Sequence, residues 1–184
     1  MPEDALGIRV VSGGQTGVDR AALDTALAFG IPCGGWVPRG RRAEDGRLPD
    51  RYPMREARTP AYGERTRLNV RDSDGTLILT RGTPFGSTAL TLAVARGLGR
   101  PALVVDFDCS ADHAHVLDWI RDRGLAVLNV AGPRESTSPG IYHAARAYLE
   151  NLFGEWLGCA PGPAAPRLRN NEAFINCRSP DGAR

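Results

Sequence analysis

The sequence predicts a doubly wound α/β domain, with a mostly parallel sheet of about five to seven strands flanked by helices. Two observations lead to this fold class. Short apolar runs alternate with helical patterns along the first 153 residues, which is typical of βαβ units. Glycine-rich turns join two of these runs to the helices that follow, at residues 12–17 and 81–88. Together they indicate a doubly wound sheet, in which such turns lie at one edge of the sheet.

Each element follows from hydrophobic periodicity and from residues that end helices. Apolar runs predict strands, an i, i+3, i+4 spacing predicts helices, and Gly or Ser marks their ends. In chain order, we expect a strand at 8–11, a helix at 18–29, a strand near 31–37, a helix at 63–72, a strand at 76–80, a helix from 86 to 98, a strand at 102–107, a helix at 110–123, a strand at 125–130 and a last helix. Ser110 is the predicted cap of the helix at 110–123. Ser138 is the predicted cap of the last helix, with Pro139 at its first position.

The stretch at residues 38–62 has no periodicity and contains seven arginines. Irregular loops of this length inside a domain are uncommon, and most are functional or disordered. Leu48, Tyr52 and Met54 offer apolar anchors that would pack this loop against the core. We therefore expect a functional loop that acts as a lid over a binding site.

The composition is that of an ordinary globular protein. The chain has 184 residues, 23 basic and 21 acidic, for a net charge of +2, and every basic residue is Arg. Apolar residues make up 42% and charged residues 24%, which excludes a disordered chain. No run approaches the ~20 apolar residues of a membrane span, and the small net charge gives no general argument for nucleic acid. We expect neither a membrane nor a nucleic acid as partner.

We predict one domain, residues 1–153, followed by a C-terminal extension, residues 154–184. The extension begins as a proline-rich linker, and docking on the core or on a partner subunit is open for its end. The N-terminus has no apolar leader, so we expect a cytoplasmic protein with free thiols. The sequence leaves open whether Cys159 and Cys177 pair.

The first glycine-rich turn gives the strongest chemical signal. It consists of Gly13, Gly14, Gln15, Thr16 and Gly17 between the first strand and the first helix. Glycines permit close approach of the backbone, and a helix N-terminus offers N–H groups and a positive dipole to an anion. The alternative is a turn that only connects strand to helix. Neither a dinucleotide fingerprint nor a phosphate loop with its lysine is present.

Two further turns carry similar groups. Gly86, Ser87 and Thr88 open a later helix, and together with the first turn they would line one crevice. The alternative is an ordinary helix cap. Residues 129–138 follow another strand and bring hydroxyls and an arginine, although a polar loop is equally consistent with them. The arginines that we predict as partners of an anion are Arg20, Arg39, Arg42 and Arg134.

Carboxylates at residues 69–74 suit a metal or the donors of a heterocycle, but a turn at a helix exit is favoured. His113 and His115 are two residues apart, and on a helix such residues do not share a face. No serine–histidine–aspartate arrangement is evident. We predict no metal site and assign no catalytic residue.

Four stretches of the sequence resemble the putative molybdenum carrier family, whose members have a Rossmann-like fold akin to the lysine-decarboxylase-like proteins. The first stretch is GGQTGVDRAALD at residues 13–24, and the others lie at 35–46, 69–76 and 128–136. They occur in the same order as in the family, and the resemblance covers roughly residues 8–153. The resemblance implies a binding protein for molybdenum cofactor (molybdopterin), which is a pterin that carries a phosphate and a molybdenum oxo group.

The residues themselves suit any small anionic ligand, and molybdate or a nucleotide would use the same turns. An enzymatic alternative comes from the related phosphoribohydrolases of cytokinin activation, whose P-G-G-x-G-T-x-x-E motif has a catalytic Glu. The matching position here is Thr91, which is unsuited to carboxylate chemistry. This favours a carrier over a hydrolase of nucleoside monophosphates or a nucleotide sensor. We also expect a homo-oligomer, either a dimer or a tetramer.

Overall fold

The computed structural model describes residues 7–109 and 112–158. In chain order these residues form β1 (Arg9–Val11), α1 (Val18–Ala28), β2 (Cys33–Gly34), β3 (Trp36–Val37), β4 (Arg42–Ala43), β5 (Gly46–Arg47), β6 (Arg55–Glu56), α2 (Tyr62–Arg71), β7 (Gly75–Thr80), α3 (Gly86–Gly97), β8 (Ala102–Asp106), α4 (His113–Asp122), β9 (Val127–Ala131) and α5 (Ile141–Trp156). Five strands form one parallel sheet between layers of helices. The predicted fold class is confirmed.

The strand order in the main sheet is β2-β1-β9-β7-β8, and every neighbouring pair is parallel. The last of the described strands in sequence, β9, therefore lies in the centre, between β1 and β7. If the strands are counted from β9 onward, this order becomes 3-2-1-4-5, which is the usual order of a doubly wound sheet. The strand that usually begins such a sheet is here the last one that the structure describes.

The helices form two layers, as right-handed crossovers require. Helices α1, α4 and α5 pack together on one face of the sheet, and α2 packs against α3 on the other. The chain enters α5 after β9 and α3 after β7, so these neighbouring strands lead to opposite faces. The switch point lies between residues 132–140 and 81–85, and open parallel sheets bind ligands at such points.

The apolar core lies between the sheet and the layer of α1, α4 and α5. Alternate strand residues such as Val10, Leu77 and Leu128 are fully buried there. The opposite face of the same strands is more polar, since the Asn129 amide donates to the buried Thr76 hydroxyl at 3.2 Å. The sheet thus has one apolar face and one face that includes buried polar groups.

The segment at 38–62 is packed down by its anchors, as predicted. Leu48 and Tyr52 are each 1% exposed, and Met54 packs against the core. The buried guanidinium of Arg41 donates to the carbonyl oxygens of Leu48, Pro49 and Tyr52 at 2.9–3.1 Å. Within the segment, β4 and β5 form an antiparallel hairpin that pairs with no other described strand.

Two predicted caps fall elsewhere. Asp112 caps α4 and accepts from the Ala114 amide at 3.0 Å, while Ser110 lies outside the described residues. The prediction for the last helix is wrong, because Ser138 precedes a turn and Gly140 is the residue before α5. Cys33 and Cys109 are free thiols, and Cys159 and Cys177 lie outside the described residues. In the described ranges, no helix combines the length and apolar character needed to cross a membrane.

Candidate ligand-binding site

The turn between β1 and α1, residues 12–17, is packed tightly against the loop that follows β9. Gly17 has a φ of 73°, and a Cβ there would lie 2.4 Å from the carbonyl oxygen of Pro133. Only glycine meets both the backbone angle and this close approach. The Val18 amide donates to the same carbonyl oxygen at 3.2 Å. The first turn and the loop at 132–138 therefore form one unit.

Several amides of this turn already bind groups of the protein itself. The Gln15 amide donates to Asp19 Oδ2 at 3.3 Å, and the Thr16 amide donates to Gln15 Oε1 at 3.0 Å. The guanidinium of Arg65 lies where a Cβ of Gly13 would be, and it pairs with Asp19 at 3.0 Å. A ligand at this turn would therefore meet mainly the side chains that surround it.

The tip of the β4–β5 hairpin places a carboxylate beside Thr16. Glu44 accepts hydrogen bonds from the hydroxyls of Thr16 and Ser136 and from the Ser136 amide, the last at 3.2 Å. Arg134 Nη1 lies 3.9 Å from the same carboxylate, and the Glu44 amide donates to Gln15 Oε1 at 2.8 Å. Burial raises the pKa of Glu44, but the hydrogen bonds outweigh it, so the pKa is lowered overall. Hydroxyl, amide and guanidinium donors thus converge on the two oxygens of one carboxylate.

The next residue of the hairpin, Asp45, engages Arg20. Both terminal nitrogens of the Arg20 guanidinium lie 3.1 Å from the Asp45 carboxylate, in a bidentate pair. Arg20 also donates to the Gly14 carbonyl oxygen at 3.3 Å and lies 5.6 Å from the centre of the Tyr52 ring. Arg20 and Arg134 thus both face carboxylates of the hairpin tip.

Three buried nitrogens around the first turn have no acceptor among the described residues. They are Gln15 Nε2, Arg20 Nε and Arg65 Nε. A buried donor without an acceptor costs about 1–3 kcal/mol, and native structures contain few of them. The first turn therefore holds three buried donors whose hydrogen-bonding capacity is not used by the described residues.

A cavity of about 370 Å³ opens beside Thr16 and Arg20, within the ~300–1,000 Å³ typical of small-molecule sites. The Tyr52 and Tyr142 hydroxyls both donate to Asp24, at 2.7 and 2.9 Å. Burial raises the pKa of both tyrosines, so each stays a neutral donor. The residues that line the cavity are Thr16, Gly17, Arg20, Asp24, Asp45, Arg51, Tyr52, Glu135, Tyr142 and His143.

The second glycine turn lies across the switch point and not at a neighbouring strand end, because β9 separates β1 from β7. Gly86 and Ser87 are exposed, whereas Thr88 is buried. Arg81 spans the switch point and donates to the Pro139 carbonyl oxygen at 3.3 Å. The guanidinium of Arg134 also lies 5.6 Å from the centre of the ring of Tyr62, the first residue of α2.

The predicted arginines differ in their placement. Arg20 and Arg134 lie at the first turn, as described above. Arg39 and Arg42 are exposed, and no hydrogen bond or ion pair joins their side chains to another described residue. Their neighbour Arg41 is the buried one and holds the loop together.

The carboxylates that a hydrolase would require have structural partners here. Asp74 accepts from the Val127 amide at 2.8 Å, and Asp72 accepts from Trp36 Nε1 at 2.8 Å. Glu135 accepts from the amides of Gly140 and Tyr142 at the start of α5, at 2.5 and 3.0 Å. Each of these carboxylates thus stabilises a local backbone or side-chain arrangement.

Comparison with known proteins adds two findings. A family model described as "Circularly permutated YpsA SLOG family" matches residues 10–153. The chain belongs to this family. It is also similar to a crystal structure titled "Putative molybdenum carrier protein" from Syntrophus aciditrophicus SB, with 47% sequence identity and a TM-score of 0.76. The match covers 80% of this chain and 95% of that chain. No curated protein matches the chain.

The family description agrees with the strand order, which becomes the usual one when it is counted from β9. The resemblance found in the sequence is confirmed, and together the two matches indicate a ligand-binding role. The turn at residues 129–138 was expected to bring hydroxyls, and Ser136 is the one that contacts Glu44. Sequence reasoning missed Glu44 and Asp45 as neighbours of the first turn. A signal was present, because both lie in the stretch at 35–46 that resembles the family.

Proposed function

We propose that this protein is a carrier that binds molybdenum cofactor, molybdate or a similar phosphate-bearing anion without chemical turnover. The ligand is held around the first turn by Thr16, Arg20 and Arg134, with Gly86, Ser87 and Thr88 as the wall across the switch point. Arg39 and Arg42 are additional charge partners in this proposal, since their side chains are exposed. The name of the 47% identical relative, "Putative molybdenum carrier protein", supports a molybdenum-related ligand.

The observation that carries the proposal is the cluster of buried donors without acceptors at Gln15, Arg20 and Arg65. Phosphate and molybdate present several acceptor oxygens and negative charge, which match N–H donors and guanidinium groups. The Thr16 and Ser136 hydroxyls already hold a carboxylate in the same place. This donor set therefore fits an oxyanion.

The adjoining cavity fits a larger ligand such as a pterin. Tyr142 offers a half-buried aromatic ring, and the Asp24 carboxylate offers acceptor oxygens for the amino groups of a heterocycle. The molybdenum group would supply only its negative oxygens to this site. The residues of the chain would bind, orient and shield the cofactor.

Calorimetric titration with molybdate, orthophosphate, a phosphorylated pterin and AMP tests this proposal. We expect binding of the pterin or of molybdate, with no conversion of AMP. Preferential binding of AMP with release of adenine or ribose phosphate would overturn the proposal in favour of a nucleotide hydrolase. Preferential binding of AMP without turnover would favour a nucleotide sensor.

Two variants locate the site. Thr16→Ala removes a hydroxyl donor, and we expect at least about tenfold weaker binding, because a hydrogen bond to a charged group contributes ~1.5–3 kcal/mol. Gly86→Asp adds a negative charge to the far wall, where a Cβ meets nothing within 4 Å. The φ of Gly86 is 54°, a left-handed value that Asp adopts more readily than most residues, so the variant is expected to fold with some loss of stability and to bind more weakly. Thr137→Ala is the matched control, since that hydroxyl donates to the Arg134 carbonyl oxygen of its own turn. Unchanged affinity in folded Thr16→Ala and Gly86→Asp would contradict the placement.

The proposal includes a homo-oligomer, dimer or tetramer, in the cytoplasm. Closed symmetric assembly is the commonest state of soluble proteins that self-associate. The proposal also divides the chain into one domain, residues 1–153, and a C-terminal extension, residues 154–184. Helix α5 continues past this boundary to Trp156.

A further inference from the structure

The hairpin tip supplies two carboxylates to the donors on which an anionic ligand would depend. Glu44 binds the Thr16 and Ser136 hydroxyls and the Ser136 amide and lies 3.9 Å from Arg134. Asp45 forms the bidentate pair with Arg20. The Glu44 side chain is 22% exposed and the Asp45 side chain is 49% exposed, so both are accessible to solvent.

A carboxylate and an oxyanion make the same demands on these donors. Each needs hydroxyls, amides and guanidinium groups that converge on its oxygens. The two also repel each other, so an anion and the hairpin carboxylates have conflicting requirements at this place. One of them must leave before the other binds fully.

The hairpin is attached in a way that permits this exchange. Strands β4 and β5 pair only with each other among the described strands, and a single backbone hydrogen bond, from the Glu44 amide to Gln15 Oε1, joins the tip to the first turn. The base of the hairpin is fixed by the buried Arg41 and by Leu48. Residues 42–47 can therefore swing while the rest of the loop stays packed.

We propose that the hairpin tip is a built-in competitor for the anion site, so that Glu44 and Asp45 hold the donors until an anionic ligand displaces them. The inference rests on the proposed function and adds a selectivity to it. Two negative charges must be displaced, so dianions such as molybdate and phosphate bind in preference to monoanions such as nitrate. When the ligand leaves, the hairpin returns and satisfies the donors again.

Affinity measurements on wild type, Glu44→Ala and Asp118→Ala test the competition. The control removes an equally charged group from α4, where the Asp118 side chain is 70% exposed and, among the described residues, forms an ion pair with Arg121 alone. We expect Glu44→Ala to bind molybdate about tenfold more tightly than wild type, because removal of a competing state raises the fraction of competent protein. We also expect nitrate to bind measurably to Glu44→Ala alone, while Asp118→Ala behaves as wild type.

Hydrogen exchange of the Glu44 amide in wild type gives a second readout. This amide is bonded to Gln15 Oε1 in the closed state, so saturation with molybdate should accelerate its exchange by about tenfold or more. Equal or weaker molybdate binding by Glu44→Ala, or an unchanged exchange rate in saturated wild type, would overturn the inference and leave the carrier proposal intact. Failure of wild type and both variants to bind molybdate, orthophosphate or the phosphorylated pterin would overturn both.

Discussion

Gly17 combines a left-handed backbone with the closest approach between the first turn and the loop after β9. Gly17→Ala places a Cβ 2.4 Å from the Pro133 carbonyl oxygen at a φ of 73°. We expect a loss of about 2 kcal/mol or more in the free energy of unfolding, measured by urea denaturation, because strain and overlap add.

Gly63→Ala is the matched control for that change. Gly63 lies inside α2, and its nearest neighbour would be Leu90 Cδ2 at 4.0 Å, an ordinary contact. Alanine should stabilise the helix there by about 0.5–1 kcal/mol. Equal effects at the two positions would show that Gly17 has no special role.

At the level of single residues, the local sequence pattern predicted the first turn but not Glu44, the carboxylate that contacts it. The glycines, Gln15 and Thr16 stand next to one another, so the sequence displays them together. Glu44 is 28 residues from Thr16 and 92 from Ser136, and only tertiary packing brings these groups into contact. The choice between Arg39, Arg41 and Arg42 likewise depended on which side chain turns inward, which composition does not encode.

Among the elements, periodicity predicted existence and type well. The helix and strand patterns correspond to α1 to α5 and to the five strands of the main sheet. Boundaries that depend on side-chain caps were less predictable. Ser138 has the right residue type for a cap, but Glu135 reaches the amides of Gly140 and Tyr142 from five and seven residues away.

The start of α5 gives a prediction that separates these two caps. Glu135→Ala removes acceptors from two amides, and we expect a loss of about 1–2 kcal/mol in the free energy of unfolding. Ser138→Ala should change it by less than about 0.5 kcal/mol, as for an ordinary surface position. Thermal and urea unfolding followed by circular dichroism measure both. The reverse ranking would restore Ser138 as the cap.

For the whole molecule, the sequence predicted the fold class but not the strand order. Alternation of strands and helices implies a parallel sheet, because each crossover helix returns the chain to the same edge. It does not say which strands become neighbours, since that depends on pairing between distant segments. The position of β9 between β1 and β7 therefore appeared only in the structure, and with it the separation of the two glycine turns.

The strand order makes a prediction about the connectivity of the chain. Counted from β9, the sheet has the usual doubly wound order, and β9-α5-β1 would form an ordinary right-handed crossover if α5 were joined to β1. A permuted chain would test this. It begins at Gly124, runs to Gly158, continues through a linker of about eight Gly and Ser residues to Gly7, and ends at Arg123. The linker spans up to ~26 Å. Arg123 and Gly124 form an exposed turn between α4 and β9.

We expect this permuted chain to fold with the same far-ultraviolet circular dichroism, to melt cooperatively within about 10 °C of the native chain, and to keep its affinity for molybdate. The reason is that the sheet order, the two helix layers and every residue around Thr16 and Glu44 are preserved, while only one exposed turn is opened. A chain of the same composition opened within β7, whose six residues are all buried, is the control and should not fold. Loss of cooperative melting in the permuted chain would mean that the α4–β9 connection is needed to bring β9 between its neighbours. Folding would then require that β9 follow α4 in the chain, and the contacts of the native sheet would not be sufficient by themselves.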